Sequence, residues 1–216
     1  TVLTGASDNL TKQAGSFTDL SFKYGIFLDK RDRVFMPTDG FLSNFSQTLP
    51  VFADSPSLRN SYSFSKYTSF GKNVVGAFKF YGSAINGFSD DVRLSKRLNL
   101  TQNRLRGFES GKIGPKDGND YVGGNYATAI NLETNLPNLL PESTKTDIGL
   151  FLDFGNVWSV DYSDNIDDSN KIRSSAGINT SWLSPVGPMT FVISQNLSKA
   201  NTDSTESFNF RLGTTF

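Results

Sequence analysis

Asn125-Tyr126-Ala127-Thr128-Ala129-Ile130-Asn131-Leu132-Glu133 alternates without a break. Tyr126, Thr128, Ile130 and Leu132 share one side, and Asn125, Ala127, Ala129, Asn131 and Glu133 the other. A period of two sends successive side chains to opposite faces of an extended chain, so this stretch is a strand with one apolar and one polar face. Downstream, Ile148, Leu150, Leu152 and Phe154 oppose Asp147, Gly149, Asp153 and Gly155. Ile172, Ala176, Ile178 and Trp182 oppose Lys171, Arg173, Ser175, Gly177 and Asn179. Upstream, Thr18, Leu20, Phe22, Tyr24, Ile26 and Leu28 face away from Asp19, Ser21, Lys23, Gly25 and Asp29, with Phe27 out of step. The chain closes on Phe208, Phe210, Leu212 and Phe216 against Asn209, Arg211 and Gly213. Weaker strands run over 40–51, 58–70, 73–85 and 189–197, which makes about nine strands and no convincing helix.

Composition narrows the class. The 216 residues carry 21 Lys+Arg and 21 Asp+Glu, a net charge of zero, and so lack the basic excess that nucleic acid calls for. Without Cys or His there is no disulfide, no thiolate metal site and no Ser-His-Asp chemistry, and the chain reads as no enzyme. Carboxylates such as Asp117, Asp120, Asp164, Asp167 and Asp168 sit in polar loops at spacings that fit no EF-hand, and read as solvated charges; no metal or other cofactor is implied. Aromatics reach 13%, including 19 Phe, yet mean hydropathy is only −0.33. A soluble β-sandwich has that profile. So does a membrane β-barrel, whose strands alternate lipid-facing apolar and lumen-facing polar residues. The run of apolar residues that a spanning helix needs is absent, so any crossing is by strands.

The connections separate the two. Short ones at Met36–Asp39, Phe70–Asn73 and Ser184–Pro188 alternate with longer ones at Phe52–Ser57, Asn86–Tyr121, Ser159–Asn170 and Ser198–Glu206, with one of middling length at Pro137–Glu142. Short turns on one rim and long loops on the other are the pattern of an outer-membrane barrel, short rim periplasmic, and they place Phe216 on that rim.

The connection 86–121 is too long for an idle hairpin. It holds Leu105-Arg106-Gly107-Phe108 and Ile113-Gly114-Pro115, and leads into Asp120-Tyr121-Val122-Gly123-Gly124-Asn125. Elsewhere stand Asp32-Arg33, Phe35-Met36-Pro37-Thr38-Asp39-Gly40, Asp153-Phe154-Gly155-Asn156-Val157-Trp158 and Ser184-Pro185-Val186-Gly187-Pro188. With the closing strand Phe208–Phe216, these motifs come in the order of the BamA family, which the chain resembles over essentially its whole length. The resemblance implies that residues 1–216 are the C-terminal portion of an antiparallel outer-membrane β-barrel of sixteen strands. Its POTRA domains and N-terminal strands would lie outside this sequence, and the loop of about 86–121 would fold inward.

An arginine held inside a barrel away from bulk water needs an acidic partner. The alternation sets Glu133 and Asp153 on the polar side of the next two strands, and by resemblance these match the acidic lumen partners of Arg106. Unconnected solvated charges are the alternative. Gly107 permits a tight tip, Phe108 packs on the wall, and Gly114 and Pro115 complete the loop motif. The resemblance further implies a non-enzymatic insertase for β-barrel proteins in the Gram-negative outer membrane, with a lateral gate at the terminal strand: Phe208, Phe210, Leu212, Gly213 and Phe216. Its partners would be unfolded outer-membrane protein clients, outer-membrane lipid, and periplasmic assembly lipoproteins bound mainly through POTRA domains. A passive porin-like channel and a related secretion barrel remain as alternatives.

Overall fold

A computed structural model of the chain describes residues 8–71, 74–136, 139–162, 166–168, 170–185 and 187–213. A short helix α1 (Asp8–Lys12), absent from the sequence expectation, precedes β1 (Asp19–Asp29), β2 (Gly40–Ala53), β3 (Ser57–Ser69) and β4 (Val75–Gly87). Within the following connection lie the two-residue strands β5 (Lys116–Asp117) and β6 (Asp120–Tyr121). Then come β7 (Tyr126–Leu136), β8 (Thr146–Trp158), a short β9 (Ile166–Asp167), β10 (Arg173–Ser184), β11 (Gly187–Ser198) and β12 (Phe208–Leu212).

Nine of these form one antiparallel meander in the order β1-β2-β3-β4-β7-β8-β10-β11-β12; β6-β5-β9 make a separate small sheet. Sequence neighbours pair throughout, as hairpin connections dictate. The register keeps the apolar positions in rows that cross the sheet: Phe64, Phe80, Ile130 and Phe154 in one, Leu150, Ile178, Ile193 and Phe208 in another. Leu150 is 50% exposed and Ile178 47%, so these rows are an outer apolar surface and not a dry core between two sheets. The other parity looks inward. Phe27, Leu42, Ser63, Lys79, Asn131, Asp147, Asn179, Thr190 and Arg211, one from each strand, line a common cavity of about 480 Å³, so the sheet curls around it. Among the described residues the curl does not close, and β1 and β12 each keep one unpaired edge.

The loop lengths depart from expectation at two places, the first being the β1–β2 connection, which spans residues 30–39 where a short turn had been expected at Met36–Asp39. At the second, strands β2 and β3 run on until only residues 54–56 separate them, where a long loop had been expected over Phe52–Ser57. On the same rim, residues 88–125, 159–172 and 199–207 connect later strands. Phe216 and Asp164 lie outside the described residues.

Candidate functional site

The residues between β4 and β7 fold back onto the inner face instead of projecting from the rim. Val92, Leu98, Leu100, Leu105, Phe108 and Ile113 from this loop cluster with Tyr81, Ile85, Ala127, Ala129 and Val157 from the wall. The wall admits them because its residues are small. A Cβ on Gly155 would stand 2.9 Å from Leu100 Cδ1, and one on Gly124 only 2.4 Å from the Trp158 carbonyl oxygen. Leu98 and Gly124 bind each other through both backbone hydrogen bonds, 2.8 and 2.9 Å, tying the start of the loop to its end. Gly114, at φ +89°, passes so close to Val157 that a side chain would collide with its carbonyl oxygen.

This packing delivers Arg106 to two carboxylates on neighbouring strands. Its Nε and Nη2 donate to Asp153 Oδ2 and Oδ1 at 2.7 and 2.6 Å, and its backbone N–H donates to Oδ2 at 3.0 Å. Nη2 also meets Glu133 Oε1 at 2.8 Å, and Lys79 Nζ closes the group on Glu133 Oε2 at 2.7 Å. Two cations and two anions thus balance. The Asp153 side chain is 0% exposed and that of Arg106 6%. The planar guanidinium fork engages both carboxylates while its face stacks 3.7 Å from the Phe151 ring centroid, an arrangement lysine cannot copy.

Around Arg106 the loop is fixed through its backbone. Ser175 Oγ donates to the Arg106 carbonyl. Gly107, at φ +87°, presents its carbonyl to Asn196 Nδ2 at 2.8 Å and to the Glu206 N–H at 3.0 Å. Phe108 is 2% exposed and forms a bridge with Thr205. Gly114 and Pro115 are buried farther along.

Sequence reasoning missed a second set of contacts that hold the inward loop in place. The connection 199–207, which leads into β12, is stitched to the loop by Glu109 N–H to the Ser204 carbonyl at 3.1 Å and Ser204 N–H to the Lys112 carbonyl at 3.0 Å. Beneath it Arg173, 0% exposed, donates Nη2 to Asp203 Oδ1 at 2.8 Å and Nη1 to Asn156 Oδ1 at 2.6 Å. Arg173 was legible as an inward residue of β10, but Asp203 stands in a loop where no periodicity marks it.

Of the terminal-strand residues, Phe208, Phe210 and Leu212 face outward and are exposed. Gly213 lies just past the end of β12, at φ +106°, its N–H donating to the Pro188 carbonyl at 2.8 Å. Among the described residues the ladder between β11 and β12 covers Met189–Ile193 against Phe208–Leu212. Among the described residues no cluster of three or more acidic side chains is placed to hold a metal ion.

The Omp85 superfamily domain matches residues 4–216. The chain is 27% identical over 217 residues to the outer membrane protein assembly factor BamA of Neorickettsia risticii, which covers 98% of this chain and 29% of that protein. It is 34% identical over 139 residues to the BamA of Neisseria meningitidis serogroup B, covering 52% of this chain and 17% of that one. The crystal structure of BamA from Haemophilus ducreyi lacking POTRA domains 1-3 resembles it with a TM-score of 0.79 at 25% identity, over 88% of this chain and 41% of that chain. Less than a third of each of these two curated relatives is spanned. With a domain match over nearly every residue, and relatives that agree with the fold, the chain belongs to the Omp85 superfamily and, within it, to the BamA family.

Proposed function

We propose that this chain is the C-terminal part of an outer-membrane barrel of sixteen strands that inserts other β-barrel proteins into that membrane. Client strands would add to the free edge of β12 by β-augmentation, which supplies backbone hydrogen bonds without demanding a fixed client sequence. The observation that carries this reading is the mismatch at the last strand. β11 runs from Gly187 to Ser198, but among the described residues the ladder with β12 covers Met189–Ile193, extended by one backbone bond at each end, Ser194 to Ser207 and Gly213 to Pro188. A five-residue ladder beside an inner wall braced by Arg106 is a weak seam next to a rigid frame. Gly213, with its positive φ, follows the last residue of β12 and holds β11 by a single backbone bond to Pro188. The inward loop occupies the interior that a passive channel would leave open, which speaks against the porin reading.

In this role the C-terminus faces the periplasm, the long connections face outward, and POTRA domains with their assembly lipoproteins act from the periplasmic side. The test is depletion of the full-length protein in its host, together with a photo-crosslinking residue in place of Phe210. Loss of many unrelated outer-membrane barrels, and crosslinks from Phe210 to nascent ones, are expected. Unchanged barrel levels, or a large constant conductance with no client crosslinks, would overturn it.

A further inference from the structure

We infer that the outer face of β3, β4 and β7 carries a binding site for an anionic glycerophospholipid, built around Lys66 and Gly76. The inference rests on the membrane reading above. Followed through the register, every outward-facing position of the nine strands carries an uncharged side chain except Lys66. A charge on the lipid face of a barrel is unfavourable in proportion to its depth, so a solitary lysine there needs a reason.

Its surroundings provide one. Lys66 is flanked in register by Phe41 and Phe78, and its ammonium reaches toward the rim, 3.7 Å from Asp39 Oδ1 at the end of the 30–39 connection. The stem therefore lies along apolar wall while the charge stands at headgroup level. With both side chains substantially exposed, 45% and 68%, this ion pair is weak and leaves the ammonium open to a second anion.

Beside it the apolar surface is notched. Gly76 has no side chain, and the Phe70 ring lies across it, 2.7 Å from where a Cβ would stand. The result is a groove of about 460 Å³ bordered by Lys66, Phe70, Gly76, Phe78, Leu132 and Leu150. A cation at headgroup depth above an apolar trough suits a phosphodiester with an acyl chain beneath it, and suits neither a peptide nor a neutral lipid as well. Strand β3 ends at Ser69 and β4 begins at Val75 on the short-loop rim, so the lipid belongs to the leaflet on that side.

The test is native mass spectrometry of the full-length protein taken from nanodiscs of phosphatidylcholine doped with phosphatidylglycerol as the probe. One retained phosphatidylglycerol per protein is expected. Lys66→Gln should lower its retention about fivefold, the worth of one lysine at an anionic surface. Lys66→Arg should keep it, and Gly76→Leu, which fills the trough, should abolish it. Heat-modifiable electrophoretic mobility would certify that each variant is folded. Retention of phosphatidylglycerol no better than of phosphatidylcholine, or indifference of folded Lys66→Gln and Gly76→Leu to the probe, would overturn the site. Failure of the membrane reading itself looks different: the full-length protein would leave cells without detergent.

Discussion

Asp153 accepts three hydrogen bonds from Arg106, two from the guanidinium and one from the backbone N–H. One carboxylate thereby fixes both the side chain and the main chain of the loop tip. Glu133 is a second acceptor and not a substitute, because it touches only Nη2 and is shared with Lys79.

Removing Arg106 therefore takes from Asp153 its ion-pair partner and leaves Glu133 with Lys79. Arg106→Ala should cost about 3–5 kcal/mol, the usual penalty for breaking a buried ion pair from one side. Asp153→Asn should be more harmful than Glu133→Gln, since three bonds to the loop tip are lost or weakened instead of one, the second contact of Glu133 being to Lys79 on the wall. Thermal shifts of heat-modifiable mobility would rank the three, and equal effects of the two acid variants would contradict the asymmetry.

Arg173 and Asp203 pin the connection before β12. Hydrogen bonds to charged groups are worth roughly 1.5–3 kcal/mol, and Asp203→Asn leaves the Arg173 charge with neutral acceptors, Asn156 Oδ1 and the Lys171 carbonyl among them. Hydrogen exchange should then quicken at Ser204 and Glu206, whose N–H groups bind the inward loop, while amides within β7 stay protected. Uniform acceleration across the sheet would show that the pair supports the fold as a whole and not this connection.

Two glycines should respond differently to alanine. At Gly155 the nearest obstacles are the ends of Leu100 and Leu105, which can shift; at Gly124 they are backbone atoms of Trp158, which cannot. Gly155→Ala should fall near the low end, and Gly124→Ala near or beyond the high end, of the about 1–3 kcal/mol seen for overpacking. Trypsin cleavage after Arg104 or Lys112 offers a readout, fast in Gly124→Ala and slow in Gly155→Ala.

In the 30–39 connection, partial desolvation pushes the Asp32 carboxyl up, but hydrogen bonds from Thr38 Oγ1 and from the N–H groups of Asp39 and Thr38 outweigh it and hold it at about 2. A carboxyl lowered by folding stabilises the turn fully above its ordinary value of 3.8 and loses that contribution as pH falls through about 2. Thr38→Val should move the midpoint back toward the ordinary value, as read by carbon NMR of labelled Asp32. An unmoved midpoint would remove the hydroxyl from the account.

Alternation was enough to place Glu133 and Asp153 on the inward side, because parity survives any error in strand ends. It could not place Phe151, an apolar residue of inward parity. That ring fits only because Gly177 lies opposite: a Cβ there would come within 2.7 Å of Phe151 Cζ. Such pairings between strands are invisible along one chain. The turn at 54–56 was misjudged for a related reason: Phe52 and Ala53, read as loop, extend β2 past Pro50 by pairing with Leu20 and Asp19 beyond a register shift. The docking of 199–207 rests partly on backbone groups, which carry no residue-specific signal, and partly on Asp203, which stands in a loop outside any periodic pattern.

The loop's position in the chain sets an order of events. Arg106 precedes the groups that neutralise it and fix the loop tip: Glu133 and Asp153 come later, then Ser175, and then Asn196 and Glu206, which hold the Gly107 carbonyl. As the polypeptide arrives N-terminus first, the tip has to wait, charged and undocked, until strands up to β11 have been laid down. Seating of the arginine is thus a late checkpoint, reached only once nearly the whole sheet exists to receive it.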